Sequence, residues 1–215
     1  ARYERHIRRA AGMGRVPTSA DRDLYDKRHA HCDVLIVGGG PAGLSAALAA
    51  GQTGARVILA DEQGELGGSL LAETARLGDS TAPEWAEDAV AELQAMPEVR
   101  LLPRATVFGY YDHNSLAIVE RVADHVAQPP PHTPRQRLWT VRAKQVVLAT
   151  GAHERPLVCA DNDRPGIMLA GAARTYLNRY GVHAGRRVLI FTNNDSAYLY
   201  ALDVAASGGD VAAVV

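Results

Sequence analysis

Three glycines, Gly38, Gly40 and Gly43, stand in G-x-G-x-x-G spacing inside DVLIVGGGPAG (33–43). Bare main chain at that spacing can take the diphosphate of a dinucleotide. Gly38 permits a tight turn, Gly40 lets the diphosphate come against the backbone, and Gly43 lets the next helix pack close to the sheet. Gly39 and Pro41 complete the turn, and Ala42 lies in the first helical turn. The unpaired N–H groups and positive dipole end of that helix point at the phosphates. Asp61 follows Gly38 by 23 positions. The acid that accepts hydrogen bonds from the ribose hydroxyls is expected after about 20. A carboxylate there also repels a 2′-phosphate, which disfavours NADP, and Glu62 beside it can share the role. ELGGSL (65–70) brings a second glycine pair, with Gly68 and Ser69, toward the same ligand. ATG (149–151) ends a strand at the same sheet edge, which adds Thr150 and Gly151.

The elements that must position these residues are legible around them. Strand 33–37, helix 41–51 and strand 56–60 make a complete βαβ unit, the size of a mononucleotide-binding half. Residues 81–96 read as a helix, with Thr81 and Glu84 in capping-box spacing and Trp85, Ala89, Leu93 and Met96 recurring on one face. VRLLP (99–103) is a short strand. From about 104 to 143 the pattern is that of a β-meander, with ATVFGYY, SLAIVERVADHV and RLWTVRA as strands and DHN (112–114) as a hairpin turn. QPPPHTPRQ is an exposed loop, because its prolines forbid regular pairing. KQVVLATG (144–151) is expected as a separate buried strand. A linker, HERPLVCADNDRPG, and a helix at 168–180 follow.

Near residue 187 the opening pattern returns as strand, turn, helix, turn and strand, but with T-N-N-D-S-A where glycines belong. The Cβ atoms of Thr192 and Asn194 would crowd a diphosphate, while Asn still tolerates the turn. This half keeps the fold and has lost or altered its nucleotide. The expected architecture is α/β. An N-terminal arm (1–32), with a helical stretch from Tyr3 to Ala11 and a break at Gly12 and Gly14, precedes a Rossmann-like dinucleotide-binding domain (33–160). A truncated second βαβ lobe (161–215) follows. An opening without Met and an ending inside a strand read as a stretch of a longer polypeptide.

Composition excludes several functions. The chain has 215 residues, 47% hydrophobic, with formal net charge −1, enough for a packed core. No basic block lies beside aromatic residues, so nucleic acid is not an expected partner. No apolar run is long enough to span a membrane, and no signal peptide opens the chain. Cys32 and Cys159 lie far apart and outside any CxxC, which excludes a dithiol reductase centre and suits a reducing cytoplasm. No Ser-His-Asp arrangement, carboxylate pair or metal-ligand cluster stands out. Any chemistry falls to a cofactor, and His153, Glu154 and Arg155 read as linker charges that are solvated or paired.

Several stretches together carry a resemblance: YERHIRRAAGMGR, HCDVLIVGGGPAGLSAALAAGQTGARVILADE, GYYDHN, VVLATGAHERPLVCADNDRPGIMLAGAARTYLNRYGV and VLIFTNNDSAY. They resemble the α subunits of bacterial heterotetrameric sarcosine oxidases, within the flavoproteins that have two dinucleotide-binding domains. Octopine and nopaline oxidase subunits and cyanide synthase subunits are more distantly similar. The resemblance implies NAD at the first glycine turn, not used as a redox partner. It implies FAD and covalent FMN held mainly by a β subunit, further partners in γ and δ subunits, and a folate site outside this chain. The whole enzyme would oxidise sarcosine to glycine with O2, giving hydrogen peroxide and formaldehyde or methylene-tetrahydrofolate. It further implies NAD contacts at Ala42, Asp61, Glu62, Gln63, Ser69 and Val107, the last near the adenine. The residues alone leave NAD and FAD open, because both share the ADP half. A self-sufficient FAD- and NAD(P)H-dependent reductase, a related amino-acid or opine oxidase subunit, and an empty scaffold are the alternatives, and the degenerate second turn argues against the reductase.

Overall fold

The structure is a computed structural model that describes residues 3–13 and 18–215; Gly14, part of the expected break in the arm, lies outside them. Helix α1 (Glu4–Ala10) buries none of its side chains. The first strand, β1, runs Tyr25–Val37, so residues 25–32, expected in the arm, belong to the sheet. Their composition hides it, since YDKRHAH alternates no apolar face. The partner strand explains it. β8 (Gln136–Leu148) pairs parallel with β1 from Tyr25↔Gln136 to Val37↔Leu148. Arg137 bridges Asp26 at 2.9 Å and Glu120 at 3.0 Å, so the charged rows are paired. Trp139, also on β8, is buried, donates from its indole N–H to Glu120 at 2.7 Å, and lies under the guanidinium groups of Arg28, Arg100 and Arg137.

Helix α2 (Pro41–Gly51) has the predicted bounds. β2 (Val57–Ala60) is buried at every residue. A 3₁₀ turn, Gly68–Ala72, and a small antiparallel ribbon of β3 (Arg76–Leu77) and β4 (Ser80–Thr81) lead into α3 (Ala82–Ala95). The capping box forms as the spacing predicts: the Glu84 carboxylate accepts from the Thr81 N–H at 2.8 Å, and the Glu84 N–H reaches the Thr81 hydroxyl. β5 (Val99–Leu102), β6 (Ala105–Tyr111) and β7 (Ser115–Arg121) follow, with Asp112–Asn114 turning the β6–β7 hairpin. The sheet order is β5-β2-β1-β8-β7-β6. The first four strands are parallel, and β7 pairs antiparallel with both β8 and β6.

Two expected strands, RLWTVRA and the buried KQVVLATG, are therefore one. β8 is the last strand of the meander and a parallel neighbour of β1 at once. Its far end is not buried, and Leu148 is 63% exposed. Helices α2 and α3 cover one sheet face through Leu44, Ala47, Ala86 and Leu93. The meander closes over the other through Leu116, Ile118 and Val141.

The second lobe contains α4 (Ala170–Tyr180), β9 (Arg187–Ile190), α5 (Tyr198–Ala206) and β10 (Asp210–Val214), the last parallel to β9. It has its own core around Leu177, Ile190, Tyr200 and Val204. A polar clamp joins it to the first lobe. The Arg174 guanidinium donates to both oxygens of Glu73 at 2.6 and 3.0 Å, and to Asp203 at 2.6 Å. Asn178 donates to the Ala72 carbonyl at 2.9 Å and to Asp203 at 2.7 Å. The Arg174 hydrogen bonds hold the Glu73 carboxyl far below its ordinary 4.5, at about 2. A lowered carboxyl pKa adds stability that is complete above the ordinary value and disappears as pH falls through the folded value. Glu73→Gln is thus expected to be less stable than the unsubstituted protein at pH 7. The gap should narrow between about pH 4.5 and pH 2, as followed by urea midpoints across that range.

Candidate functional site

β1 ends where Gly38 turns the chain, at φ +103°. Its N–H donates to the Ala60 carbonyl at 2.8 Å. A Cβ at Gly38 would sit 2.3 Å from the Ala149 carbonyl oxygen, and one at Gly43 would sit 1.8 Å from the Gly38 carbonyl oxygen. These two glycines serve close packing of strand, turn and helix. Gly40 differs. Its Cβ would meet only the Gly68 Cα, at 4.0 Å. A Cβ at Gly68, by contrast, would lie 2.8 Å from the Gly40 Cα, so the two backbones pack together and the Cβ direction of Gly40 is left facing open space, bare main chain that a dinucleotide diphosphate can approach. Gly40 is also the N-cap of α2, where no side chain caps the helix and Pro41 takes the first position. The first N–H groups of α2, in the Ala42 and Gly43 turn, are left for an anion. Ser69 is exposed on the facing 3₁₀ turn.

Asp61 stands at the end of β2 beside the glycine turn. One carboxylate oxygen accepts the Gly39 N–H at 2.6 Å and the other the Gln63 N–H at 2.7 Å. Its own carbonyl accepts from Ala105 at 2.7 Å. Each carboxylate oxygen keeps a lone pair for a hydroxyl donor. Glu62 and Gln63 are exposed at the same strand end. Arg121 donates to the Glu62 carbonyl, and the Arg104 guanidinium lies 3.0 Å from where a Cβ of Gly64 would be. Sequence reasoning missed both arginines, which sit at strand ends with no local motif. Val107 lies on β6, half-buried against the core, two residues beyond Ala105. On the opposite side, the Ala149 N–H donates to the Val37 carbonyl at 2.8 Å, which sets Thr150 and Gly151 beside the glycine turn.

The linker charges divide. Glu154 accepts the Gly171 N–H at 2.8 Å, in the first turn of α4. It is a helix cap, as the paired-charge reading expects, while His153 and Arg155 are exposed. In the second lobe the degenerate turn is filled by its own side chains. The Asn194 side-chain oxygen accepts from the Ser196 N–H at 3.0 Å, and the Asn194 N–H donates to the Thr192 hydroxyl at 3.2 Å. The groups an anion would need are taken. A cavity of about 1260 Å³ lies elsewhere, between α3 and β5, with Arg56, Glu87 and Arg100 in its walls. It does not include the glycine turn. Among the described residues no cluster of His, Cys, Asp and Glu is arranged to hold a metal, and no helix is long and apolar enough to cross a membrane.

Comparison with known proteins agrees with this geometry. Residues 32–186 match the family described as pyridine nucleotide-disulphide oxidoreductase. The chain is 54% identical over 213 residues to the alpha subunit of sarcosine oxidase from Rhizobium meliloti (strain 1021), covering 99% of this chain and 22% of that protein. It is 32% identical over 181 residues to an opine oxidase subunit of Agrobacterium tumefaciens (strain Ach5), covering 82% of this chain and 35% of that one. The chain therefore spans about a fifth of the length of the first of these relatives and about a third of the second. L-proline dehydrogenase from P. horikoshii shares the fold, with a TM-score of 0.69 at 24% identity over 91% of this chain and 37% of that one. The resemblance to sarcosine oxidase α subunits holds along nearly the whole chain. Both of its cysteines are free, Cys32 buried and Cys159 exposed, so the disulphide in the family's description has no counterpart here. With a nucleotide-binding Rossmann sheet and a family match over most of its length, the chain belongs to the pyridine nucleotide-disulphide oxidoreductase family.

Proposed function

We propose that this chain is the NAD-holding part of a sarcosine-oxidase α subunit. The observation that carries the reading is the open approach to the Gly40 main chain at the α2 N-terminus, with Asp61 anchored beside it by the Gly39 and Gln63 amides. The α2 N-terminus and the Gly40 and Gly68 backbone hold the diphosphate, Asp61 accepts from the adenosine ribose, and Val107 lines the adenine side. Thr150 and Gly151 flank the turn. The bound dinucleotide supplies binding energy and order to this lobe and no hydride. FAD and FMN belong to a β subunit, with γ and δ subunits completing a cytoplasmic assembly. That assembly converts sarcosine, O2 and water to glycine, formaldehyde and hydrogen peroxide, or passes the one-carbon unit to tetrahydrofolate at a site outside this chain. Support comes from the identity to the alpha subunit of sarcosine oxidase and from the side-chain-filled turn at Asn194, which leaves the second lobe without a nucleotide cradle.

The test is the identity of the small molecule released from the purified protein, by mass and absorption spectrum. NAD without flavin bands supports the reading. FAD that NADH reduces favours a self-sufficient flavin reductase, and no nucleotide at all favours a scaffold. Asp61→Ala is expected to weaken NAD binding about tenfold, the worth of about one charge-assisted hydrogen bond. It should also narrow the preference for NAD over NADP, because the repulsion toward a 2′-phosphate is gone. Calorimetric titration with both dinucleotides measures this.

A further inference from the structure

The 65–73 segment carries Gly68, which packs on Gly40, and Ser69, so it forms one wall of the site at the glycine turn. It is gripped at both ends by a single helix of the other lobe. Arg179 pairs with Glu65 where the segment begins. Asn178 donates to the Ala72 carbonyl, and Arg174 forks onto Glu73, where it ends. Arg174 and Asn178 stand four positions apart, on one face of α4. Asp203 on α5 receives both of them and also the Thr74 hydroxyl, at 3.1 Å, so the grip is tied into the second lobe's own frame. Among the described residues, the one main-chain bond tying the segment across to the glycine turn is from the Gly67 N–H to the Gly39 carbonyl, at 2.8 Å. Leu66 and Leu70 seat the middle of the segment in the first lobe's own core, and the glycines between them, at φ +133° and +55°, leave the orientation of the Gly68–Ser69 backbone to be set by how the segment's ends are held.

We propose that α4 of the second lobe, through Arg174 and Asn178, positions the Gly68–Ser69 wall and so sets the affinity of the first lobe for its dinucleotide. The lobe with the degenerate turn has exchanged binding a nucleotide of its own for bracing its neighbour's site. This rests on the reading that the glycine turn at Gly40 takes a dinucleotide. Arg174 and Asn178 are positioning residues, acting through the segment they hold.

The experiment titrates NAD into the full chain and into Arg174→Gln, Asn178→Ala and Val204→Ala, with thermal midpoints for each. Amide exchange at Gly67 and Leu70 is measured without nucleotide. Arg174→Gln is expected to raise the Kd about fivefold or more and to speed exchange at both amides. Asn178→Ala, which keeps the Arg174 ion pairs, should move both in the same direction by less, and decides the matter if Arg174→Gln does not fold. Val204→Ala removes buried apolar volume from the second lobe's core and touches no residue of the segment. It should lower the midpoint and leave the Kd within about twofold. An unchanged Kd in both folded α4 variants overturns the brace, as does a rise in Val204→Ala equal to that in Arg174→Gln. Failure of the unsubstituted protein to bind NAD overturns the dinucleotide reading itself, and with it the brace as a determinant of affinity.

Discussion

Gly40→Val is expected to abolish dinucleotide binding and leave the protein folded. The backbone at Gly40 has φ −77° and ψ −171°, extended geometry that valine adopts readily. Its Cβ finds no atom nearer than the Gly68 Cα, at 4.0 Å. Stability should change by no more than about 0.5 kcal/mol, as for an uncrowded surface substitution. The two methyl groups, however, project into the open space in front of Gly40 and the α2 N-terminus, where the diphosphate must lie against main chain. A loss of about 3 kcal/mol corresponds to roughly a hundredfold in Kd. Titration with NAD and a urea melt on the same sample separate the two effects. Unchanged affinity would place the ligand elsewhere in the molecule.

Gly43→Ala should do the opposite and damage the fold. By intrinsic propensity alone, alanine in place of a helical glycine gains about 1 kcal/mol. Here the new methyl would lie 1.8 Å from the Gly38 carbonyl oxygen, well inside van der Waals contact, and both partners are backbone. Helix α2 must back away from the end of β1, opening the packing of Leu44 and Ala47 against Ile36 and Leu59. A clash this short against backbone falls at the upper end of overpacking costs, about 3 kcal/mol, and exceeds the propensity gain. Net destabilisation of about 2 kcal/mol, read from the urea midpoint, is expected together with lost binding. The two glycines of one motif thus separate by phenotype: one variant is stable and does not bind, while the other does not bind because it is poorly folded.

What the sequence discloses is what is local. The glycine turn, the bounds of α2, the Thr81–Glu84 capping box and the hairpin turn at 112–114 each rest on residues within a few positions of one another. All four appear where the spacing puts them. The crowding expected at Thr192 and Asn194 is present in a specific form, with side chains hydrogen-bonding into the place a phosphate would occupy. The first half of β1 was hidden because its polar residues find their partners far along the chain, in Arg137 of β8 and in the strand itself. For the same reason β8 reads as two strands: its charged middle, Arg142 to Gln145, looks like a break until β1 and β7 are placed on either side. The α4 brace leaves no periodic or motif signal, since Arg174 and Asn178 meet partners roughly a hundred positions earlier.

The long pairing of β1 with β8 also governs how this protein must be made. Leaving the ribosome, β1 soon meets β2, but the other margin of its thirteen residues waits until residues 136–148 have emerged. Throughout that interval a row of unanswered amides and carbonyls lies open beside Leu35 and Ile36, a template for pairing with another nascent copy. Chaperone occupancy during synthesis should therefore persist until β8 is free of the exit tunnel and then drop.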